Sequence, residues 1–250
     1  MTFERQTNMP TNYFGESVAK GYDADLPEWF DAGVVGPVVD ALAEMALNGN
    51  ALELGIGTGR IALPLSQRGI RVHGIDLSPE MLNEMRRKPG AEAIDVTTGD
   101  FATTKVGKTF DLAYIVFNTI TNLTTQEAQV ACFRNVATHL KPGGCFVIEV
   151  FVPELRRLPP GAKLIANRVG AEKLDFDEYD VATQGLISHH YRSVDGKLTG
   201  YSSPFRYVWP AELDLMAQLA GMTLRDRWEY WDRRPFTNES PMHVSVWELP

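Results

Sequence analysis

The sequence predicts an α/β fold in which a mostly parallel, doubly wound sheet is covered by helices and carries an antiparallel β insertion. Three patterns indicate this class. Short apolar runs alternate with segments of helical periodicity over residues 51–152, as in successive βα units. The first apolar run leads directly into a glycine-rich turn, Gly55–Gly59. Residues 163–208 show little helical periodicity and much alternation, which is typical of antiparallel strands.

Length and composition exclude several classes of protein. The 250 residues suit one α/β domain with an inserted subdomain, and a net charge of −8 disfavours nucleic acid as a partner. The two cysteines, Cys132 and Cys145, lie in apolar stretches without metal-ligand spacing, which predicts reduced thiols. The polar first residues do not resemble a signal peptide, and no apolar run reaches the length of a membrane span. We therefore predict a cytoplasmic protein with no membrane contact.

The glycine-rich turn is the first candidate site. It follows the apolar run 51–54, which predicts a buried strand, and precedes a helix expected from Arg60. Backbone N–H groups converge on such a turn and can bind a small anionic group, and glycines let a ligand approach closely. The register is G-x-G-x-G, so Arg60 stands where a dinucleotide-binding turn has its third glycine. A tight βα turn without a ligand is the alternative interpretation.

Acidic residues follow the next two predicted strands. Strand 71–75 ends at Asp76, whose carboxylate can accept hydrogen bonds from both hydroxyls of a ribose. The motif 78–80, Ser-Pro-Glu, predicts the cap of the following helix. A third strand leads to Asp100, and Glu53 lies two residues before the first glycine. Together with the glycine register, Glu53 and Asp76 indicate a nucleoside that carries no phosphate.

The series of motifs resembles the class I S-adenosylmethionine-dependent methyltransferases. Their first motif, E/D-x-G-x-G-x-G, matches residues 53–59, and their second motif ends in the acid at Asp76. The turn 140–144, Leu-Lys-Pro-Gly-Gly, matches the one that precedes strand five in the family. The resemblance implies a Rossmann-like seven-stranded sheet with an antiparallel last strand. It also implies S-adenosyl-L-methionine as cofactor, S-adenosyl-L-homocysteine as product and no metal.

The resemblance also assigns roles to individual residues. The family acid after strand three binds the adenine amino group and the next residue covers the ring, while the end of strand four lines the gap towards the acceptor. A leading segment with a Tyr-Asp pair folds over the cofactor. Turn formation by Asp100, core packing by Met81 and simple packing of the leading segment remain alternatives. The implied cofactor-binding set is Tyr13, Tyr22, Glu53, Gly55, Gly57, Gly59, Asp76, Leu77, Met81, Asp100, Phe101, Phe117 and Asn118.

We divide the chain into an N-terminal lid, a cofactor-binding Rossmann-like domain and a β-rich substrate-covering insertion. Residues 1–12 are polar and expected to be loose, and Pro37 predicts the start of a helix that ends at Asn48-Gly49. The insertion resembles that of glycine and deoxyaminosugar N-methyltransferases, which implies a small-molecule methyl acceptor and a possible homodimer. Its clearest hairpin turn is 194–197. The domain bounds are 1–33, then 34–152 with 209–250, then 153–208, with insertion strands expected at 163–169, 173–180, 184–193 and 197–208.

Methyl transfer from a sulfonium mainly requires alignment of the acceptor, so the family tolerates varied catalytic residues. A base is needed only where the acceptor must lose a proton. The candidates are His190 in the insertion and His243 in the last hairpin. On a strand His189 and His190 face opposite ways, and a histidine hydrogen-bonded within a sheet is the alternative for each. A metal-assisted mechanism needs clustered acids after strand four, where this chain has Asn118-Thr119.

Two other functions stay open at the level of the sequence. An NAD(P)-dependent oxidoreductase is disfavoured by Arg60 and the glycine register. A methyltransferase-like protein that binds cofactor without catalytic activity is compatible with all the motifs. Titration with S-adenosylhomocysteine and with NADH distinguishes an oxidoreductase from a methyltransferase. Measurement of methyl transfer distinguishes an enzyme from a protein that only binds the cofactor.

Overall fold

The computed structural model describes residues 11–47, 49–194 and 197–250. The predictions for residues 1–10, Asn48 and Asp195-Gly196 fall outside the described residues. Short 3₁₀ turns lie at Pro27–Phe30, Ala91–Ala93, Thr119–Asn122 and Glu154–Arg157. The helices are α1 (Glu16–Ala19), α2 (Tyr22–Asp25), α3 (Ala32–Met45), α4 (Ala62–Gln67), α5 (Pro79–Arg86), α6 (Gln126–Ala137) and α7 (Pro210–Leu219). The strands are β1 (Asn50–Leu54), β2 (Arg71–Asp76), β3 (Asp95–Thr98), β4 (Phe110–Ile115), β5 (Leu140–Phe151), β6 (Leu164–Val169), β7 (Lys173–Asp180), β8 (Gly185–Val194), β9 (Lys197–Arg206), β10 (Thr223–Trp228) and β11 (Met242–Glu248).

Seven strands form one mixed sheet in the order β10-β11-β5-β4-β1-β2-β3. The pairs β1/β2, β2/β3 and β4/β5 are parallel, whereas β11 is antiparallel to both β5 and β10. Strands β6 to β9 form a separate antiparallel sheet. The predicted Rossmann-like, mostly parallel sheet and its antiparallel insertion after strand five are therefore confirmed.

The chain divides into two compact units, one ending at Gly107 and the other running from Lys108 to Pro250. In the first unit, β1 is buried along almost its whole length because its apolar side chains face covered surfaces on both sides. The parallel register of β1 and β2 places Leu54 opposite Ile75. The parallel register of β2 and β3 places Asp76 opposite Thr98. The carboxyl ends of these three strands consequently meet at one edge, where the predicted acids follow them.

Helix α3 begins earlier than predicted. The Asp31 Oδ1 atom accepts a hydrogen bond of 2.7 Å from the Gly33 N–H and caps the helix at Ala32, so Pro37 lies inside it. Proline carries no N–H, so α3 lacks the hydrogen bond that residue 37 would donate one turn back. At 14 residues α3 is the longest described helix. No helix in the described ranges is long and apolar enough to cross a membrane.

In the second unit an aromatic cluster joins α6 to the sheet. The Phe133 ring lies edge-on to Phe146 of β5 and Trp247 of β11, with centroids 5.0 and 5.5 Å away. All three side chains are fully buried. Edge-to-face aromatic pairs of this kind add to the stabilisation from burial. The cluster holds α6 against β5 and β11.

The insertion strands agree with the predicted strands to within two residues at each end. The sheet has its own small core, in which Tyr179 of β7 and Tyr207 pack with Ile165 of β6. Leu155 and Leu158, which precede β6, pack against the same core. This contact attaches the segment that contains Leu155 and Leu158 to the β6–β9 sheet.

Candidate functional site

The glycine-rich turn after β1 has a backbone that only glycine adopts easily. Gly55, Gly57 and Gly59 have φ angles of 76°, 55° and 78°. A Cβ atom on Gly59 would lie 2.7 Å from Cγ of Met85, which is closer than real contacts allow. Helix α4 starts at Ala62, two residues later than expected, so the turn is longer than predicted. Gly59 thus lets the turn pack closely against Met85 of α5.

Asp76 ties this turn to the start of α5. Its Oδ2 atom accepts a hydrogen bond of 2.7 Å from the Gly57 N–H, and its Oδ1 atom accepts one of 2.8 Å from the Ser78 N–H. Burial raises the pKa of Asp76 above its ordinary value, against the lowering effect of backbone N–H groups of Ser78, Gly57 and Leu77. Each carboxylate oxygen has a second lone pair, so Asp76 can still accept hydrogen bonds from the two hydroxyls of a diol.

The beginning of α5 lies against the glycine turn. The Met81 N–H donates a 3.1 Å hydrogen bond to Oγ of Ser78, which confirms the predicted cap. The Met81 side chain is buried, and its Cε atom is 3.4 Å from where a Cβ on Gly57 would stand. Leu77 is half-buried between Asp76 and the cap. Met81 is therefore at once a core residue and a neighbour of the turn.

Asp100 and Phe101 follow β3 at the same edge. The Gly99 N–H donates a 2.8 Å hydrogen bond to the Asp76 carbonyl, which fixes this turn beside β2. The Asp100 Oδ1 atom accepts from the Ala102 N–H at 2.9 Å, so Asp100 also shapes its own turn. Phe101 is buried, as is Glu53 on β1 with 3% exposure. The Thr103 hydroxyl lies 3.5 Å from Oδ2 of the same carboxylate. The turn-forming and site interpretations of Asp100 are compatible, because each carboxylate oxygen has a second lone pair.

The N-terminal segment is attached to the glycine turn by a small polar cluster. The Thr58 hydroxyl donates a 2.7 Å hydrogen bond to Asp23 Oδ1, and Lys88 forms an ion pair with the same carboxylate. The Lys88 ammonium also donates to the Thr58 carbonyl at 2.8 Å. Tyr22 is half-buried, whereas Tyr13 is 44% exposed. Residues 12–30 thus lie along the first unit rather than extending from it.

In the second unit, the end of β4 is a turn of unusual backbone conformation. Phe117 and Asn118 have φ angles of 55° and 60°, and non-glycine residues rarely adopt this left-handed region. The Phe117 N–H donates to Glu149 Oε2 at 2.9 Å, and the Trp231 indole N–H donates to Glu149 Oε1 at 3.1 Å. Sequence reasoning missed Glu149 and Trp231. A lone acid inside the apolar strand 145–150 was the signal that could have found Glu149.

His190 lies within a polar row on one face of the insertion sheet. Its Nδ1 atom is 3.0 Å from Asp175 Oδ1, its Nε2 atom is 3.1 Å from Ser188 Oγ, and its ring lies 5.0 Å from that of Tyr201. The side chain is 33% exposed. His189 faces the other way and stacks on Phe176, as the strand alternation predicts. His190 therefore combines an orienting carboxylate with partial access to solvent.

His243 has a different environment from His190. It is fully buried on β11, and its Nδ1 atom is 2.8 Å from Ser245 Oγ. Burial, followed by the nearby Arg227 charge, lowers the pKa of His243 to about 3. The imidazole is consequently neutral at pH 7 and has no exposed surface for a substrate to contact. Within the described ranges, no group of three or more His, Cys, Asp or Glu side chains could hold a metal ion.

Comparison with known proteins gives a consistent family. A family model described as a methyltransferase domain matches residues 51–144. The chain is 28% identical over 200 residues to the cypemycin N-terminal methyltransferase of Streptomyces sp, which is 79% of this chain and 82% of that protein.

Solved structures extend the similarity over nearly the whole chain. The CcbJ methyltransferase from Streptomyces caelestis is 31% identical, with a TM-score of 0.83, over 94% of this chain and 97% of that chain. The S-adenosylmethionine-bound CalS10, an amino pentose methyltransferase from Micromonospora echinaspora involved in calicheamicin biosynthesis, has a TM-score of 0.68. It is 21% identical over 96% of this chain and 100% of that chain, which shows a shared fold. On the similarity to CcbJ and the matched domain, this chain belongs to the class I S-adenosylmethionine-dependent methyltransferases.

Proposed function

We propose that this enzyme transfers the methyl group of S-adenosylmethionine to a nitrogen or oxygen of a small molecule by in-line displacement. The observation that carries the proposal is the pair of hydrogen bonds that Asp76 accepts from the Gly57 and Ser78 N–H groups, beside a turn in which Gly59 packs against Met85 too closely for a Cβ. This arrangement fits an adenosine that lacks a pyrophosphate. When bound, S-adenosylmethionine supplies a methyl group that its sulfonium already activates. The protein then has to align the acceptor, which can lower the barrier by about 7–11 kcal/mol.

Each candidate residue has a proposed role. Asp76 accepts the ribose hydroxyls, Asp100 accepts from the adenine amino group, and Met81 and Phe101 cover the ring. The glycines and Glu53 serve the amino-acid end, with Leu77 beside the ribose acid. Tyr13 and Tyr22 belong to the lid, and the left-handed turn at Phe117 and Asn118 serves the methyl group and acceptor. The proximity of Gly57 to both Asp76 and Met81 supports the first of these roles.

An amine acceptor is the favoured form of the proposal. Two relatives, the cypemycin N-terminal methyltransferase and the amino pentose methyltransferase CalS10, favour an amine. The ubiquinone biosynthesis O-methyltransferase of Aeromonas salmonicida, 23% identical over 70% of this chain and 63% of that protein, keeps an oxygen acceptor open. A neutral amine carries the lone pair that an in-line displacement needs, whereas a hydroxyl must lose its proton to become a strong nucleophile. A hydroxyl acceptor is the second candidate.

We propose three functional regions: a lid at 1–33, a cofactor domain at 34–152 with 209–250, and a substrate-covering insertion at 153–208. Contacts of Asp23 and Lys88 with Thr58 support the lid. The self-contained core of the β6–β9 sheet supports the insertion. A covering element of this kind shapes an acceptor cavity and is a natural place for homodimer contacts.

Calorimetric titration with S-adenosylhomocysteine and with NADH tests the cofactor assignment. We expect saturable binding of S-adenosylhomocysteine and none of NADH, because Arg60 stands where a dinucleotide turn needs glycine. Hydrogen exchange of residues 12–30 should slow in the same complex if they form a lid.

Turnover is then measured with labelled S-adenosylmethionine on three probes: an amino-sugar methyl glycoside, alanine amide and a methyl glucoside. Preference for NADH would overturn the proposal, and binding without transfer to any probe would favour a non-catalytic role.

His190 is the better of the two proposed bases, because Asp175 orients its ring and its side chain is partly exposed. With an acceptor that must lose a proton, such as a hydroxyl or a protonated amine, His190→Ala should lower methyl transfer about a hundredfold or more while leaving S-adenosylhomocysteine affinity unchanged. His243→Gln is the matched comparison, since His243 is buried and neutral. Full activity of the His190→Ala enzyme would remove that residue from the mechanism.

A further inference from the structure

Glu149 holds the left-handed turn of Phe117 and Asn118 at the end of β4. We infer that Glu149 is a positioning residue for methyl transfer and that Trp231 fixes its carboxylate by a hydrogen bond. The inference rests on the proposed function for the role of the turn. It rests on the geometry of the second unit for the role of Glu149. Neither Glu149 nor Trp231 belongs to the set of residues that the sequence motifs identify.

The turn needs external support because of its backbone. Two consecutive non-glycine residues, Phe117 and Asn118, are in the left-handed region, where a bulky side chain such as phenylalanine is strained. Such conformations persist only when the surroundings hold them, and they concentrate at functional sites. The residues that hold this turn are therefore candidates for a functional role.

Three hydrogen bonds come from β5. The Glu149 carboxylate accepts from the Phe117 N–H at 2.9 Å, and the Glu149 carbonyl accepts from the Asn118 N–H at 3.3 Å. In return, the Asn118 Oδ1 atom accepts from the Phe151 N–H at 2.6 Å. Both backbone N–H groups of the turn are thus satisfied by one residue.

Trp231 fixes the carboxylate itself. Its indole N–H donates to the second oxygen of Glu149 at 3.1 Å, and both side chains are buried, with 3% and 6% exposure. A carboxylate has only acceptors, so it matches two N–H donors at once. A glutamine of the same shape would turn its NH₂ group towards one of them. The site therefore distinguishes glutamate from glutamine, which a purely space-filling role would not do.

The test compares Glu149→Gln, Trp231→Phe and the double variant with the wild-type enzyme. Hydrogen exchange of the Phe117 and Asn118 amides should become at least tenfold faster in Glu149→Gln. Methyl transfer to the best of the three probes should fall at least tenfold through kcat. The Kd for S-adenosylhomocysteine should rise no more than threefold, because its proposed ribose and adenine partners lie in the first unit. The double variant should be no worse than the more damaged single variant, since the two side chains act as one unit.

Two matched variants control for simple loss of stability. Glu248→Gln changes a strand carboxylate that pairs with Arg225, and Trp228→Phe changes a tryptophan on β10; both should keep wild-type exchange at the turn.

Unchanged amide exchange in Glu149→Gln would overturn the positioning role. Faster exchange with unchanged kcat would also overturn it, because the turn would then not matter for transfer. If the wild-type enzyme methylates none of the probes, the proposed function fails while the exchange data still decide whether Glu149 holds the turn. Trp231→Phe gives the same readout should Glu149→Gln not fold.

Discussion

Replacing Asp76 with alanine should weaken binding of S-adenosylhomocysteine by about ten- to a hundredfold, because a hydrogen bond to a charged group contributes roughly 1.5–3 kcal/mol. The side chain is expected to accept the ribose hydroxyls, and it also holds Gly57 and Ser78 in place. Its loss removes a ligand contact and loosens the turn that presents the remaining contacts. Titration calorimetry measures the change in Kd.

The control is Asp95→Ala, which removes an exposed carboxylate at the opposite end of the neighbouring strand β3. The Asp95→Ala variant should bind S-adenosylhomocysteine with the affinity of the wild-type enzyme. Asp76→Asn keeps the shape of the side chain but turns one NH₂ group towards a backbone N–H. Its affinity for S-adenosylhomocysteine should therefore lie between those of Asp76→Ala and the wild-type enzyme. An unchanged affinity in Asp76→Ala would refute the ribose role.

Replacing Glu212 with alanine should lower the free energy of unfolding by about 3–5 kcal/mol, the usual cost of breaking a buried ion pair. Glu212 accepts hydrogen bonds from Arg206 at 2.7 Å, Gln184 at 2.8 Å and Gln126 at 2.9 Å. Arg206 is 5% exposed and also donates to the fully buried Gln129. Without Glu212 the guanidinium stays buried with its charge uncompensated. Equilibrium unfolding in urea, followed by circular dichroism, measures the loss.

The same network predicts a pH dependence. Burial raises the pKa of Glu212, but hydrogen bonds from Gln184, Arg206 and Gln126 outweigh it, so its pKa lies below the ordinary value of 4.5. The unfolded chain therefore binds the proton more readily than the folded one. The contribution of Glu212 is complete above pH 4.5 and disappears as the pH falls through the lowered pKa. The Glu212→Ala protein should lack this part of the acid-induced loss.

Glu248→Ala is the matched control, because its pair with Arg225 is more than one-third exposed on both sides. Exposed pairs contribute about 0–1 kcal/mol, so this variant should unfold almost as the wild type does. Equal losses in the two variants would show that the Arg206 network does not carry the expected stability.

Much of the sheet edge that carries the glycines and acids could be predicted because its signals are local in the sequence. The glycines at 55, 57 and 59 are needed for backbone angles that few other residues adopt, and they follow a strand of obvious apolar character. Asp76 and Asp100 were recognisable because parallel strands end at a common edge. The cap at Ser78 depends only on residues three positions apart. The strands of the insertion were found for a similar reason, since alternation is a short-range pattern.

Predictions that needed a distant partner were less complete. Pro37 looked like a helix start, yet Asp31 caps α3 six residues earlier. The two histidines looked alike in the sequence, but burial and Arg227 make His243 neutral and inaccessible, whereas Asp175 orients His190. Proline and histidine are compatible with several environments, and packing selects one of them.

The sequence by itself determined the fold class, the edge of the sheet where glycines and acids meet, and the family, because these follow from periodicity, glycine geometry and the order of short motifs. Only the tertiary structure showed three hydrogen bonds between residues far apart in the sequence. They join Trp231 to Glu149, Arg206 to Gln129 and Thr58 to Asp23, with separations of 82, 77 and 35 residues. A hydrogen bond depends on positions accurate to a fraction of an ångström, and for distant residues those positions are set by the packing of the whole unit. A short sequence window contains no information about that packing.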